Sequence, residues 1–141
     1  MNWNVRAIEQ LKRHEGFEPH PYRCTAGKLT IGYGRNLDAV PLTETEAEML
    51  LLNDLARARF LCRHAFPGYG ALSRERQGVV VNMVFNMGLR RVLGFKRMVA
   101  CLQVRDYPGA AREMLDSKWA AQVGARADEL AEQMRENKEA P

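Results

Sequence analysis

Residues 79–87 read Val-Val-Val-Asn-Met-Val-Phe-Asn-Met, and Ser73 precedes this apolar run while Gly88 follows it. Serine is a common helix N-cap and glycine commonly ends a helix, so the stretch predicts one helix. A helix that is apolar on nearly every side belongs at the centre of a bundle. Its polar members, Asn82 and Asn86, are four residues apart and therefore share a face. The stretch predicts a mostly helical fold built around this segment.

Helical patterns also lie on both sides of the central segment. A first helix is expected over residues 3–14, where apolar side chains recur at helical spacing. A long helix is expected to begin at the capping box formed by Thr43 as N-cap and Glu46 three residues later. Three shorter helices are expected after the central one, over residues 95–103, 107–117 and 125–137.

In residues 22–34 the apolar side chains recur at every second residue, and this alternation predicts a strand. The alternating residues are Leu29, Thr30, Ile31, Gly32, Tyr33 and Gly34. Ala26-Gly27 predicts a hairpin in front of this strand. If the loop is the three residues 25–27, Cys24 and Thr30 project from the same face; if it is only Ala26-Gly27, they project from opposite faces.

The face that carries Thr30, Gly32 and Gly34 is nearly bare of side chains. Another chain can approach such a face closely, as an extended polymer substrate requires. The alternative is that the glycines serve only the turn and the twist of the strand. Cys24 stands beside Arg23, where a partly exposed thiol can have a lowered pKa. Cys62 and Cys101 lie among apolar residues and are interpreted as small core residues.

Composition limits the class of protein. The chain has 141 residues, of which 46% are hydrophobic and 27% charged. This is the size of one compact domain and too apolar for a disordered chain. No apolar run reaches the roughly 18 residues of a membrane span, and residues 1–16 contain no apolar segment of a signal peptide. Three widely spaced cysteines indicate free thiols and a reducing compartment.

The net charge of +4 is unevenly distributed. Residues 57–112 contain eleven Lys and Arg but two Asp and Glu, which gives this segment a charge of +9. Such a segment suits a polyanion: nucleic acid, an anionic cell wall or a membrane surface. The plain alternative is a solvated face that aids solubility. No zinc motif, phosphate-binding glycine loop or serine nucleophile elbow is present, so no metal site is expected.

Three stretches carry a resemblance to a known family. They are Glu15-Gly16-Phe17 with Tyr22 and Leu29–Gly34; Asn82–Gly88 with Gly94-Phe95; and Ala110-Ala111, Ser117–Trp119 and Arg126. With these motifs the chain resembles the phage-type lysozymes, the endolysins of glycoside hydrolase family 24, from its first helix to about residue 137. The family pattern is Glu, eight residues, Asp or Cys, five residues and Thr, and Glu15, Cys24 and Thr30 fit it without a gap.

The helices and the hairpin together predict an α+β fold that is mostly helical. The resemblance implies two lobes with a substrate cleft between them. It implies a single lysozyme-like domain over residues 1–141. The expected parts are a β-hairpin lobe at 16–42, a connecting helix at 43–65, and a helical lobe at 71–137 that the helix at 3–14 joins.

The resemblance also implies the reaction, which is cleavage of the β-1,4 bond between N-acetylmuramic acid and N-acetylglucosamine in peptidoglycan. Glu15 is expected to act as general acid in a partly desolvated site. Cys24 occupies the position where the family usually has an Asp that activates a water, and Thr30 holds that water. Three roles are open for Cys24: a base with inversion of configuration, a nucleophile with retention, or a neutral thiol that only shapes the site.

Further residues follow from the same resemblance. Those expected to contact substrate are Asn36, Phe85 and Asn86. Arg126 is expected to approach Glu15. Asp54 matches an acid whose family partner is a histidine, and Arg35 stands at the place of that histidine, so an Arg35–Asp54 ion pair with a structural role is expected. No metal and no organic cofactor is implied.

The expected partner is bacterial peptidoglycan, with no nucleic acid and no stable membrane insertion. The resemblance implies a monomer that is stored in the host cytoplasm until a holin-type pore releases it to the wall. Two rival functions use the same polymer: a lytic transglycosylase, and a non-catalytic binding module in which Cys24 has replaced a working Asp. A basic nucleic-acid-binding protein is a third rival, since Phe60, Phe66 and Tyr69 accompany the arginines.

Overall fold

The computed structural model describes residues 3–141. The chain forms two compact units, of which the first ends at Met49 and the second spans Leu50–Pro141. The fold is α+β and mostly helical, as the sequence predicts. The prediction that both units form one two-lobed domain stays a prediction.

The first unit contains one helix and a small antiparallel sheet. Its elements are α1 (Trp3–Glu15), β1 (Glu18–Arg23), β2 (Leu29–Gly32) and β3 (Arg35–Asn36), in the sheet order β1-β2-β3. Helix α2 (Glu44–Ala65) begins in this unit and continues into the second. The predicted hairpin is confirmed, whereas the short strand β3 was not predicted.

The second unit is entirely helical among its described elements. They are a 3-10 turn (Tyr69–Ala71), α3 (Arg74–Met87), α4 (Leu89–Leu93), α5 (Lys96–Gln103), α6 (Tyr107–Leu115), α7 (Lys118–Val123) and α8 (Ala125–Glu136). The predicted helices at 95–103, 107–117 and 125–137 correspond to α5, α6 and α8. The five-residue α4 and the six-residue α7 were not predicted.

Helix α3 lies in the core of the second unit. The side chain of Ser73 accepts the backbone N–H of Arg76 at 3.2 Å, and Gly88 follows the last turn, so both predicted ends are confirmed. Its buried residues are Val79, Val80, Val81, Met83 and Val84. Phe85 differs from them, because 40% of its surface is exposed. The predicted central helix is therefore correct, with one aromatic side chain facing outward.

The register of the β1–β2 hairpin settles which loop the chain forms. Tyr22 pairs with Thr30, and the backbone N–H of Cys24 continues the ladder by donating to the carbonyl of Lys28 at 3.0 Å. The loop is therefore the three residues 25–27. Because side chains alternate along each strand, Cys24 and Thr30 project from the same face of the sheet.

Strand β1 begins earlier than the sequence suggests, since it contains Pro19 and Pro21. Proline cannot donate to a strand ladder and is tolerated on edge strands and at bulges. β1 lies at the edge of the sheet, and its register shifts between Glu18 and Tyr22, where both prolines lie.

The predicted capping box at the start of α2 is confirmed. The backbone N–H of Thr43 donates to Glu46 Oε1 at 3.0 Å, and the backbone N–H of Glu46 donates to Thr43 Oγ1 at 3.1 Å. Arg35 of β3 binds the same carboxylate, with Nη1 to Oε1 at 3.1 Å and Nη2 to Oε2 at 2.5 Å. This two-pronged contact fastens the sheet to the first turn of α2.

The predicted Arg35–Asp54 ion pair is wrong, because both terminal nitrogens of the guanidinium lie on Glu46. Asp54 follows Glu46 by eight residues of the same helix, which is about 12 Å along its axis. Arg35 of β3 therefore pairs with Glu46, the acidic residue in the first turn of α2.

None of the helices described between residues 3 and 141 is long and apolar enough to span a membrane.

The Arg35–Glu46 pair predicts how stability depends on pH. The Arg35 guanidinium, with the N–H of Thr43 in second place, lowers the pKa of Glu46 from 4.5 to about 2. A carboxylate with a lowered pKa in the folded state stabilises the fold above its ordinary pKa, and this contribution is lost as the pH falls towards 2. We expect Glu46→Gln to unfold at lower urea concentration than the wild type near neutral pH.

The difference in unfolding free energy between the wild type and Glu46→Gln should shrink between pH 4.5 and pH 2. Glu129→Gln, which removes an exposed carboxylate of α8, is the matched control and should show a smaller difference near neutral pH. A Glu46→Gln difference that stays constant down to pH 2 would contradict the ion-pair account.

Candidate active site

Glu15 is the last residue of α1, and Gly16 ends that helix with a φ of +72°. The carboxylate of Glu15 lies against the backbone of Gly34, in the loop between β2 and β3. A Cβ atom at Gly34 would lie 2.5 Å from Glu15 Oε2 and 3.0 Å from its Cδ. Gly34 also has a φ of +75°, which disfavours residues with a Cβ. Glycine is therefore needed at this position both for the turn and for the space that the carboxylate occupies.

Glu15 is exposed. The expectation that it acts in a partly desolvated site stays a prediction. A helix end beside a glycine loop offers few side chains to cover a carboxylate.

Cys24 is half-buried and follows β1 directly. The pKa of its thiol is lowered, mainly by the backbone N–H groups of Lys28 and Ala26. The three-residue loop is closed by two backbone bonds, from the N–H of Cys24 to the carbonyl of Lys28 at 3.0 Å and from the N–H of Gly27 to the carbonyl of Cys24 at 2.8 Å. The arrangement favours the thiolate, which is the reactive form of cysteine.

The other two cysteines have the opposite environment. Cys62 is fully buried, and desolvation raises the pKa of its thiol to about 11. Desolvation also raises the pKa of Cys101, which is half-buried. The structure thus separates Cys24 from both of them, as the sequence interpretation does.

Thr30 is 3% exposed, and its hydroxyl donates to the carbonyl of Lys28 at 2.9 Å. A hydroxyl has one proton and two acceptor lone pairs, so Thr30 keeps acceptor capacity after this bond. The same carbonyl of Lys28 accepts the backbone N–H of Cys24, so the bond ties Thr30 to the residue that pairs with Cys24.

Asn36 has a local structural role. Its Oδ1 accepts the backbone N–H groups of Asp38 at 3.0 Å and of Ala39 at 3.2 Å. An Asn that binds backbone two and three residues on fixes a turn. Contact between Asn36 and a substrate stays a prediction.

In the second unit, the two asparagines of α3 each bind a side chain from another helix. Asn82 Oδ1 accepts Nε and Nη2 of Arg126 at 3.0 Å and 2.7 Å, while Asn86 Oδ1 accepts the indole N–H of Trp119 at 2.8 Å. Asn82 was not among the predicted site residues, although its spacing from Asn86 on an apolar helix was a usable signal. The predicted approach of Arg126 to Glu15 stays a prediction.

Two cavities of the second unit contain predicted residues. Asp54 and Phe85 line one of about 340 Å³, together with Arg57. Asn86 and Trp119 line another of about 540 Å³. The structure therefore brings Asp54 next to Phe85, a residue expected to contact substrate.

Comparison with known proteins places the chain in a family. A family model described as phage lysozyme matches residues 12–139, which include Glu15, Cys24 and Thr30. The chain is 29% identical over 123 residues to an endolysin of Acyrthosiphon pisum secondary endosymbiont phage 1, covering 84% of this chain and 80% of that protein. It is 26% identical over 151 residues to probable T4-type lysozyme 1 of Dictyostelium discoideum, covering 86% and 89%.

A third relative is the pre-baseplate central spike protein of Enterobacteria phage T4, 29% identical over 157 residues. The match covers 92% of this chain but 27% of that longer protein. An α+β fold with a family match over most of the chain defines the class as glycoside hydrolase, of the lysozyme kind. The chain belongs to the phage lysozyme family.

The Glu15–Gly34 contact predicts the effect of one added methyl group. We expect Gly34→Ala to reduce peptidoglycan hydrolysis by about 100-fold, because the new Cβ displaces the Glu15 carboxylate. The positive φ should also cost about 1–2 kcal/mol of stability. Turnover of purified peptidoglycan and thermal unfolding measure the two effects.

Gly68→Ala is the matched control, since Gly68 has the same φ of +75° and its nearest atom is 3.9 Å from the added Cβ. It should lose similar stability and keep its activity. Equal activity in the two variants would contradict the proposed role of the Glu15–Gly34 contact.

Proposed function

We propose that this chain is an N-acetylmuramidase that cleaves the β-1,4 bond between N-acetylmuramic acid and N-acetylglucosamine in peptidoglycan. The observation that carries the proposal is the hairpin register, which places the Cys24 thiol and the Thr30 hydroxyl on the same face of the sheet. Glu15 lies against the next loop of that sheet. The proposal thus assigns all three residues of the Glu-x8-Cys-x5-Thr pattern to catalysis.

Glu15 acts as general acid in this proposal. It gives its proton to the glycosidic oxygen as the bond to the anomeric carbon breaks. In the free protein the carboxyl group is exposed. A bound saccharide excludes water from this group and brings the glycosidic oxygen next to it.

Cys24 acts as general base in its thiolate form. The thiolate takes a proton from a water whose oxygen bonds to the anomeric carbon, while Thr30 accepts the other hydrogen of that water. The products are the two sugar ends, a neutral Cys24 thiol and a Glu15 carboxylate, and proton exchange with solvent resets both groups. A water attacking opposite the leaving group inverts the configuration.

The chemistry of the new chain ends tests the assigned bond. Purified peptidoglycan is digested, reduced with borohydride and hydrolysed to its sugars. A muramidase yields reduced muramic acid, whereas cleavage of the other glycosidic bond yields reduced glucosamine. A 1,6-anhydro product would instead establish a lytic transglycosylase, and binding without new ends would establish a non-catalytic module.

We further propose that the protein works as a monomer on the bacterial wall, without a nucleic-acid partner and without stable membrane insertion. In this proposal it is held in the host cytoplasm until a holin-type pore releases it. The name endolysin of the phage relative supports this part of the proposal. The positive charge of residues 57–112 supports attraction to an anionic wall.

Replacement of the base tests the role of Cys24. We expect Cys24→Asp to keep turnover, and Cys24→Ser to lose about 100-fold or more, because a hydroxyl ionises too weakly to act as base. Activity requires the deprotonated base, so it falls as the pH drops through the pKa of that base. The ordinary pKa of Asp is below that of Cys, so the acidic limb of the kcat/KM profile should move to lower pH in Cys24→Asp.

The pH profile of kcat/KM on soluble peptidoglycan fragments provides the measurement. Cys62→Ala serves as control, since Cys62 is buried in the second unit and should leave the profile unchanged. An acidic limb at the same pH in the wild type and in Cys24→Asp would remove Cys24 from the role of base.

A further inference from the structure

Asp38 follows β3 and reaches back to the hairpin that carries Cys24. Its Oδ2 accepts the backbone N–H of Leu29 at 2.9 Å and lies 3.7 Å from Nη1 of Arg23. The bond to Leu29 is charge-assisted, which makes it stronger than a neutral backbone hydrogen bond. Asp38 therefore holds the first residue of β2.

Leu29 is held on both sides of its backbone. Its N–H binds Asp38, and its carbonyl accepts the N–H of Leu37 at 2.8 Å. Lys28 precedes Leu29, and Thr30 follows it. Lys28 lies opposite Cys24 in the hairpin, because its carbonyl accepts the N–H of Cys24 at 3.0 Å, so fixing Leu29 fixes both neighbours relative to Cys24.

Arg23 extends the same support into the loop. Its Nη1 donates to the carbonyl of Gly27 at 3.3 Å and lies near Asp38. Both side chains are largely exposed, at 66% for Arg23 and 48% for Asp38, so their ion pair contributes little by charge alone. The hydrogen bond from Arg23 to the carbonyl of Gly27 contributes geometrically, because it joins the two ends of the Cys24 loop.

Asn36 orients Asp38 in turn. Its side-chain oxygen binds the N–H groups of Asp38 and Ala39, which sets the direction in which the Asp38 side chain leaves the turn. A series of hydrogen bonds thus links Asn36 to Asp38 and Asp38 to Leu29. Leu29 is joined through the chain to Thr30 and to Lys28, the residue that pairs with Cys24.

We propose that Asp38 is a positioning residue for catalysis, which holds the Cys24 loop and Thr30 in the register that the reaction needs. This inference rests on the proposed roles of Cys24 and Thr30. Asp38 does not touch the reacting atoms in this proposal and acts through the backbone of Leu29.

The test uses Asp38→Ala and Asp38→Asn in a chain that also carries Cys62→Ala and Cys101→Ala, so that Cys24 is its one thiol. The first readout is the rate of alkylation of Cys24 by iodoacetamide as a function of pH. The second is kcat and KM on soluble peptidoglycan fragments. Glu132→Gln is the control, because it removes an exposed carboxylate that binds Lys138 at 2.7 Å in the second unit.

Removing Asp38 has two effects on the pH at which Cys24 becomes reactive, and they act in opposite directions. Loss of a nearby negative charge alone favours the thiolate and moves the alkylation profile to lower pH. Loss of the loop geometry removes N–H groups from the sulfur and moves the profile to higher pH. We expect Asp38→Ala to move it to higher pH and to lower kcat by about tenfold with little change in KM.

Asp38→Asn keeps an oxygen acceptor for the N–H of Leu29 and should retain most of the activity, without the shift to higher pH. If Asp38→Ala does not fold, Asp38→Ser takes its place, because its hydroxyl is too short to make the bond. An alkylation profile that is unchanged or moves to lower pH in the Ala or Ser variant would overturn the positioning role.

Failure of the proposed function gives a different result. If full alkylation of Cys24 leaves turnover intact, Cys24 is not catalytic, whatever the Asp38 variants show. If alkylation abolishes turnover and the Asp38→Ala profile does not move to higher pH, the base assignment stands and the positioning inference falls.

Discussion

The site depends on one constraint, the three-residue loop between β1 and β2. Because the N–H of Cys24 pairs with the carbonyl of Lys28, the chain must turn over residues 25–27. This turn places Cys24 and Thr30 on the same face, and the backbone N–H groups of Lys28 and Ala26 lower the pKa of the Cys24 thiol. A loop shorter by one residue would move Cys24 to the other face and separate the two groups.

Glu15 is constrained in a different way, by contact with a backbone and not by burial. The missing side chain of Gly34 leaves the space that the carboxylate occupies. Glu15 itself is exposed. The two residues to which we assign the proton transfers are therefore held differently, Cys24 by the backbone of its loop and Glu15 by the space that Gly34 leaves.

Local patterns in the sequence predicted much of this fold. The apolar run of α3, its ends at Ser73 and Gly88, and the capping box of α2 all follow from rules that span a few residues. Helices α4 and α7 were missed because segments of five or six residues show too little periodicity. The partner of Arg35 was missed because it depends on where β3 meets α2. The hairpin register stayed open for a similar reason, since both loops are compatible with the alternation of side chains.

The stereochemistry of the reaction tests the central claim, that Cys24 acts as a base on water, most directly. Purified peptidoglycan is cleaved with a high concentration of the enzyme, and the anomeric protons of the new reducing end are followed by NMR before mutarotation. A base on water predicts the α-anomer as the first product, because the β-linked bond is inverted. The β-anomer as the first product would show retention, which would contradict the base assignment and make Cys24 a candidate nucleophile.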